Sequence, residues 1–224
     1  MSLTPIEIEA LRLSLMVALW AVAVSLPLGL GIAWLLSRKS FPGRILLDSI
    51  VHLPLIVPPV VVGYLLLVVL GRRGLVGAWL WDTFQISIVF SWKGAAIAAG
   101  VMAFPLMVRA IRLGLEAVDP KLEQAARTLG AAPLGVFFTV TIPLIIPSVI
   151  TGAILAFARC LGEFGATITF VSNIPGETQT LPLALYTAVQ SPGGEPAALR
   201  LVTISVILAL VALVVSELLS RKAR

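Results

Sequence analysis

Residues 121–133 read Lys-Leu-Glu-Gln-Ala-Ala-Arg-Thr-Leu-Gly-Ala-Ala-Pro, a polar, small-sided and punctuated stretch between segments apolar enough for lipid. Asp119 and Pro120 just before it form a helix start: an aspartate side chain accepts from the free amides of a first turn, and proline has no amide to leave unpaired there. Gly130 suits the left-handed position that follows a helix, and Pro133 discourages continuation, so a helix of about ten residues is framed on both sides. Leu122, Ala125, Ala126 and Leu129 fall at i, i+3, i+4 and i+7 as one apolar stripe, while Lys121, Glu123, Gln124, Arg127 and Thr128 cover the rest. So short a helix is marginal alone in water and must gain its stability from packing. The small alanines suit a helix laid in a partner's groove. The other reading is a connecting helix folded back on its own spans.

The surroundings decide what kind of chain carries this helix. Of 224 residues, 59% are hydrophobic and 12% charged, and the mean hydropathy is +1.06, too apolar for an ordinary soluble domain. The formal charge of +5 does not point to nucleic acid, because the basic residues lie beside apolar runs without a basic-aromatic module. The single cysteine, Cys160, lies in an apolar run and reads as a small buried side chain. No cleavable signal is evident, since the N-terminus lacks a basic region and the first apolar run is too long.

A window of about 19 residues finds five spans of roughly 20 residues or more, enough to cross a hydrocarbon core of about 30 Å. They are Leu11–Leu36, Leu46–Leu70, Gly94–Leu115, Ser148–Phe170 and Ala198–Leu219, with a loop over residues 116–147 that contains the opening stretch. The expected fold is an all-α polytopic membrane protein of a single transmembrane domain, residues 1–224. Thr4, Pro5 and Glu7 spell a capping box at the first helix. Pro27, Pro105 and above all Pro54, Pro58 and Pro59 free backbone carbonyls, so the second span is expected to be kinked or broken. With the N-terminus outside, ten lysines and arginines lie on the inner side and five on the outer, Arg159 standing within a span. The bias predicts N-out and C-in. The opening stretch is then cytoplasmic, and 173–196, including Thr178, faces out.

Gln124-Ala125-Ala126-Arg127-Thr128-Leu129-Gly130, followed by Val140-Thr141-Ile142-Pro143, resembles the cytoplasmic loop of binding-protein-dependent ABC importer permeases. Gln124 stands where that pattern has Glu, with Glu123 before it, and Val140 and Ile142 replace Ile and Leu. The segments His52–Tyr64, Gly71–Gly74, Gly162–Phe170 and Asn173–Thr178 resemble the molybdate branch of the family, parts of which sulfate permeases share. The resemblance implies a coupling helix that docks in a cleft of a separate ATPase, with Glu123, Gln124, Ala125, Ala126, Arg127, Gly130 and Pro143 as coupling residues. It also implies two ATPase copies, a second and identical permease, an external molybdate-binding protein, and a prokaryotic plasma (inner) membrane location. Tungstate and sulfate are related cargoes.

The chain's own residues agree with a divided machine. A P-loop needs Gly-Lys followed by Ser or Thr to hold nucleotide phosphates, and none of Lys39, Lys93, Lys121 and Lys222 follows a glycine. ATP and Mg²⁺ are therefore expected in a partner, with no cofactor bound by this chain, no catalytic residue and no enzyme activity of its own. A secondary transporter would show internal repeats, and none is clear in the spans. A membrane scaffold for a soluble partner is the remaining alternative.

Arg159 lies within the fourth span, where a lone cation costs about 2.5–3.5 kcal/mol, and Glu163 follows one turn later on the same face. They form either a charged element beside an oxyanion path or an internal pair that locks the spans together; a glutamate there would oppose passage of a dianion. His52 and Asp48 form a similar pair, but without a second histidine no metal site is expected. Gly152, Ala156, Gly162, Gly165 and Ala166 suit close helix packing.

Overall fold

A computed structural model of the chain describes residues 3–222; Arg224, counted above among the inner basic residues, lies outside them. The described residues are helical, without a strand. Helix α1 (Pro5–Arg38) opens with the capping box: the Thr4 amide donates to Glu7 Oε2 at 2.8 Å and the Glu7 amide to Thr4 Oγ1 at 3.4 Å. It continues through Pro27. Then come α2 (Arg44–Ile56), α3 (Pro59–Leu70), α4 (Leu75–Phe84) and α5 (Trp92–Ala117). The second half holds α6 (Pro120–Thr128), α7 (Pro133–Val136), a π turn (Phe137–Thr141), α8 (Ile142–Leu161), α9 (Gly165–Val171), α10 (Leu181–Gln190) and α11 (Glu195–Lys222).

Helices α1, α5, α7 through α8, and α11 are each long and apolar enough to cross a membrane. The second span is broken, and the chain bends by 117° between α2 and α3. The break is not at Pro54, which α2 absorbs, but at Val57-Pro58-Pro59. Pro58 forces Val57 into the extended region, at φ −74° and ψ 137°, and neither proline can donate an amide to the preceding turn. Residues 39–91 nevertheless carry the chain across. Arg38, at the end of α1, contacts Glu123 beyond the end of α5, so both helices end on one side and α5 begins on the other.

The fourth span differs from the hydropathy reading. Continuous helix occupies residues 133–161 and stops at Gly162, so Ser148–Phe170 straddles a break instead of filling one helix. Pro143 and Pro147 do not prevent the early start. Pro143 sits at the second position of α8, and the π turn before it lets the Ile142 amide bond the Phe137 carbonyl five residues back. That wider turn accommodates a proline that has no amide for the carbonyl of Thr139.

Helix α5 is the hub. Ala95, Ala98, Ala99, Met107, Ile111 and Leu115 are buried there against α1, α8 and α9. One close crossing joins the two broken spans. A Cβ built on Gly63 of α3 would stand 2.5 Å from the Ala166 carbonyl oxygen of α9, and one on Gly165 would stand 2.8 Å from Pro59 Cβ. Small residues let these backbones meet where larger ones could not. A second, smaller core lies by the start of α1, with Ala10, Leu181, Ala184 and Leu201 buried together. The Leu181 amide donates to Ser14 Oγ at 2.7 Å, and Arg200 reaches the Glu7 carboxylate at 2.8 Å.

Candidate functional site: an exposed capped helix tied to two spans

Helix α6 is built by its caps. Asp119 accepts from the Lys121 amide at 2.9 Å and Pro120 opens the first turn. At the other end Gly130 takes φ +86°. Its amide donates to the Arg127 carbonyl at 3.0 Å and the Ala131 amide to the Ala126 carbonyl at 3.1 Å, the pair of bonds that defines a Schellman stop. No residue of this helix is buried.

The faces of α6 divide its candidate residues. Gln124, Ala125 and Arg127 are exposed, as are Leu122 (48%) and Leu129 (89%), with Leu134 and Phe138 exposed just beyond. An apolar strip is therefore free for a partner, and Ala126, half-buried, marks its edge. Glu123 points the other way. Its Oε1 accepts from Arg38 Nη2 at 2.9 Å and from Thr141 Oγ1 at 2.8 Å. The residue expected at a docking surface is thus turned onto the chain's own spans. Arg38 and Thr141, which sequence reading did not single out, lie 85 and 18 residues away. Near them Trp34, one turn before Arg38, meets Phe137 of the π turn edge-on at 6.3 Å, and Lys39 lies over Trp34 at 5.6 Å.

Pro143 is exposed at the start of α8. Arg159 lies sixteen residues further on, roughly 24 Å along a straight helix, so the structure does not bring the two candidate groups together. Arg159 Nη1 is 2.7 Å from Glu163 Oε2, the side chains being 29% and 2% exposed. Glu163 Oε1 accepts from the Ala166 amide at 2.9 Å. One carboxylate thus pairs the arginine and caps α9 across the break at Gly162. The pair therefore forms within the chain and joins the two helix segments of the fourth span.

A groove of about 600 Å³ between α2 and α5 is lined by Asp48, His52, Arg109, Arg112 and Glu116, with apolar walls from Leu53, Ile56 and Leu113. Arg112 bridges Asp48 at 3.1 Å and Glu116 at 2.8 Å, and His52 Nδ1 lies 3.1 Å from Asp48 Oδ1. Here Asp48 serves Arg112 as well as His52, which sequence separation alone did not reveal. Thr178 is fully buried, its hydroxyl donating to the Ser172 carbonyl at 3.1 Å and accepting from the Ile174 amide at 2.9 Å. It is a loop-holding residue and not a surface one.

The bundle, its broken spans and its capped, exposed helix are those of an importer's membrane subunit. Residues 25–224 match the family described as binding-protein-dependent transport system inner membrane component, and the chain belongs to that family. Over 224 residues it is 63% identical to the molybdenum transport system permease protein ModB of Escherichia coli K12, covering all of this chain and 98% of that one. It is 57% identical to the protein of the same name from Haemophilus influenzae, covering 96% and 94% of the two chains. The sulfate transport system permease protein CysW of Synechocystis is 38% identical, over 96% of this chain and 77% of that one. Among solved structures, a bacterial ABC transporter that imports the acidic polysaccharide alginate superposes with a TM-score of 0.73 at 18% identity, covering 99% of this chain and 80% of its own. The MetNI methionine ABC transporter, in inward-facing form, gives 0.70 at 15% identity, covering 97% and 94%. These likenesses at low identity establish the fold. The chain is thus a multi-pass transport subunit of the inner membrane.

Proposed function

We propose that this chain is the permease of an ATP-driven importer that carries molybdate, delivered by an external binding protein, with tungstate and sulfate as related tetrahedral cargoes. The observation that carries this reading is 63% identity along the whole chain to a molybdenum permease, against 38% to a sulfate permease. Two identical copies form the path on a two-fold axis, and each presents α6 to one of two ATPase subunits, which hold ATP and Mg²⁺. The N-terminus faces outward, in keeping with the two-to-one bias of lysine and arginine. The exposed Leu122, Ala125 and Leu129 enter the ATPase cleft, and Gly130 ends the helix so that the chain can return to α8. This chain supplies the path and the coupling surface, and no cofactor of its own.

The test is uptake of labelled molybdate into proteoliposomes holding the permease and its ATPase, with binding protein added outside. Accumulation that requires both ATP and the binding protein is expected, with unlabelled molybdate competing more strongly than sulfate. Uptake driven by an ion gradient without the ATPase would assign a secondary transporter instead. ATPase capture with no uptake of any oxyanion would leave a scaffold.

A further inference from the structure

We propose that Glu123 is a positioning residue that ties the docking helix to two membrane spans at once, and is not part of the surface that meets the ATPase. The proposal rests on the importer reading for its mechanical meaning, but its geometry stands alone. Helix α6 has no buried residue, so packing alone holds it weakly, and its caps fix its length but not its position. The Glu123 carboxylate supplies the missing attachment. One oxygen receives both the Arg38 guanidinium at 2.9 Å and the Thr141 hydroxyl at 2.8 Å. Arg38 is in the last turn of α1 and Thr141 closes the π turn into α8.

The environment makes this tie specific. Thr141 is 2% exposed, and the side chains of Arg38 and Glu123 are 20% and 15% exposed. Glu123 is the one carboxylate paired with Arg38 among the described residues, and Arg38 Nε is buried without a partner. Breaking the pair therefore strands charge in a place that water reaches poorly, whereas an exposed ion pair would exchange its partner for water at little cost. The π turn contributes too, because the extra residue it inserts sets the rotation at which Thr141 enters α8. A displacement of α6 is thus delivered through one carboxylate to the inner ends of α1 and α8, both packed on α5. The face carrying Leu122, Gln124, Ala125 and Leu129 remains free for the ATPase.

The test has a structural arm and a transport arm. In the structural arm, amide hydrogen exchange of residues 120–128 is followed in the full-length purified permease. Arg38→Ala should quicken it about tenfold, the loss of one charge-assisted hydrogen bond, and Glu123→Ala, which also frees the Thr141 hydroxyl, at least as much. The double variant should add nothing to Glu123→Ala, and Arg38→Glu combined with Glu123→Arg should restore much of the protection. Thr141→Val, close in shape, should give a smaller increase and serves if Arg38→Ala does not fold. Additive effects, or no change in Arg38→Ala and Thr141→Val alike, would overturn the tie. In the transport arm, assembled complexes at matched ATPase content should show fewer molybdate ions carried per ATP in both single variants, with recovery in the charge-swapped pair. Loss of ATPase co-purification in Glu123→Ala but not in Arg38→Ala would return Glu123 to the docking surface. A wild-type complex with no ATP-driven uptake would sink the importer reading while leaving the exchange result standing.

Discussion

Arg159 and Glu163 form a pair 2.7 Å apart at the break in the fourth span, and the same glutamate caps α9 through the Ala166 amide. The arginine is thereby neutralised inside a span, and the carboxylate bridges two helix segments separated by residues 162–164. Arg159→Ala should lower the yield and thermal stability of the folded permease, by about 1–3 kcal/mol, because an almost fully buried carboxylate loses its counter-charge. Glu163→Gln in that background should recover part of the loss, since the amide oxygen can still accept from Ala166 without carrying charge. Full stability of Arg159→Ala with abolished uptake would place the arginine on the substrate path instead.

The meeting of the two broken spans can be tested with one methyl group. At Gly63 a Cβ would come within 2.5 Å of the Ala166 carbonyl oxygen and 2.9 Å of Thr169 Cβ. Gly63→Ala should therefore destabilise the purified protein by about 1–3 kcal/mol, the usual cost of overpacking. Gly31→Ala is the control, since its Cβ would meet nothing within 4 Å, and it should be neutral or gain up to about 1 kcal/mol of helix propensity. Equal melting temperatures for the two variants would mean that α3 and α9 are not in backbone contact.

The exposed apolar strip of α6 makes a separate prediction. Leu122 and Leu129 are exposed, so Leu122→Asp and Leu129→Asp should leave insertion and stability within about 0.5 kcal/mol. Each should weaken ATPase co-purification about tenfold or more, as expected for an apolar contact replaced by charge. At Gly130 the strain is conformational, because φ is +86° and a Cβ would meet nothing within 4 Å. Gly130→Val should disturb coupling more than Gly130→Asn, which enters the left-handed region more readily. Co-purification and uptake per ATP, measured at matched permease levels, distinguish the two kinds of defect.

Orientation is read by thiol labelling in intact cells. A cysteine at Gln190, exposed at the end of α10, should react with an impermeant maleimide from outside, and one at Lys121 only after the inner face is opened. Thr178→Cys should resist the reagent from either side, because that position is fully buried. Labelling of Lys121→Cys from outside would reverse the topology.

Local features of the sequence specified local structure. The Thr4 to Glu7 capping box, the Asp119 and Pro120 start of α6 and its stop at Gly130 were all legible, because each is closed by hydrogen bonds between residues at most five apart. Span number followed from length and apolarity, and a break in the second span from Pro58 and Pro59. The exact ends of the fourth span did not, because a hydropathy window cannot see a π turn absorbing Pro143 or a glutamate capping the far side of Gly162. Which residues meet across the bundle was left to the tertiary structure. Glu123 finds Arg38 and Thr141, Glu7 finds Arg200, and Gly63 finds Ala166 across separations that no local pattern encodes. The reason is physical: a helix apolar on every side shows no amphipathic stripe to say which face meets lipid and which meets protein, since lipid tails are as apolar as leucine. In this chain composition settled that the helices belong in a membrane, and packing of small residues and pairing of distant charges settled how they stand against one another.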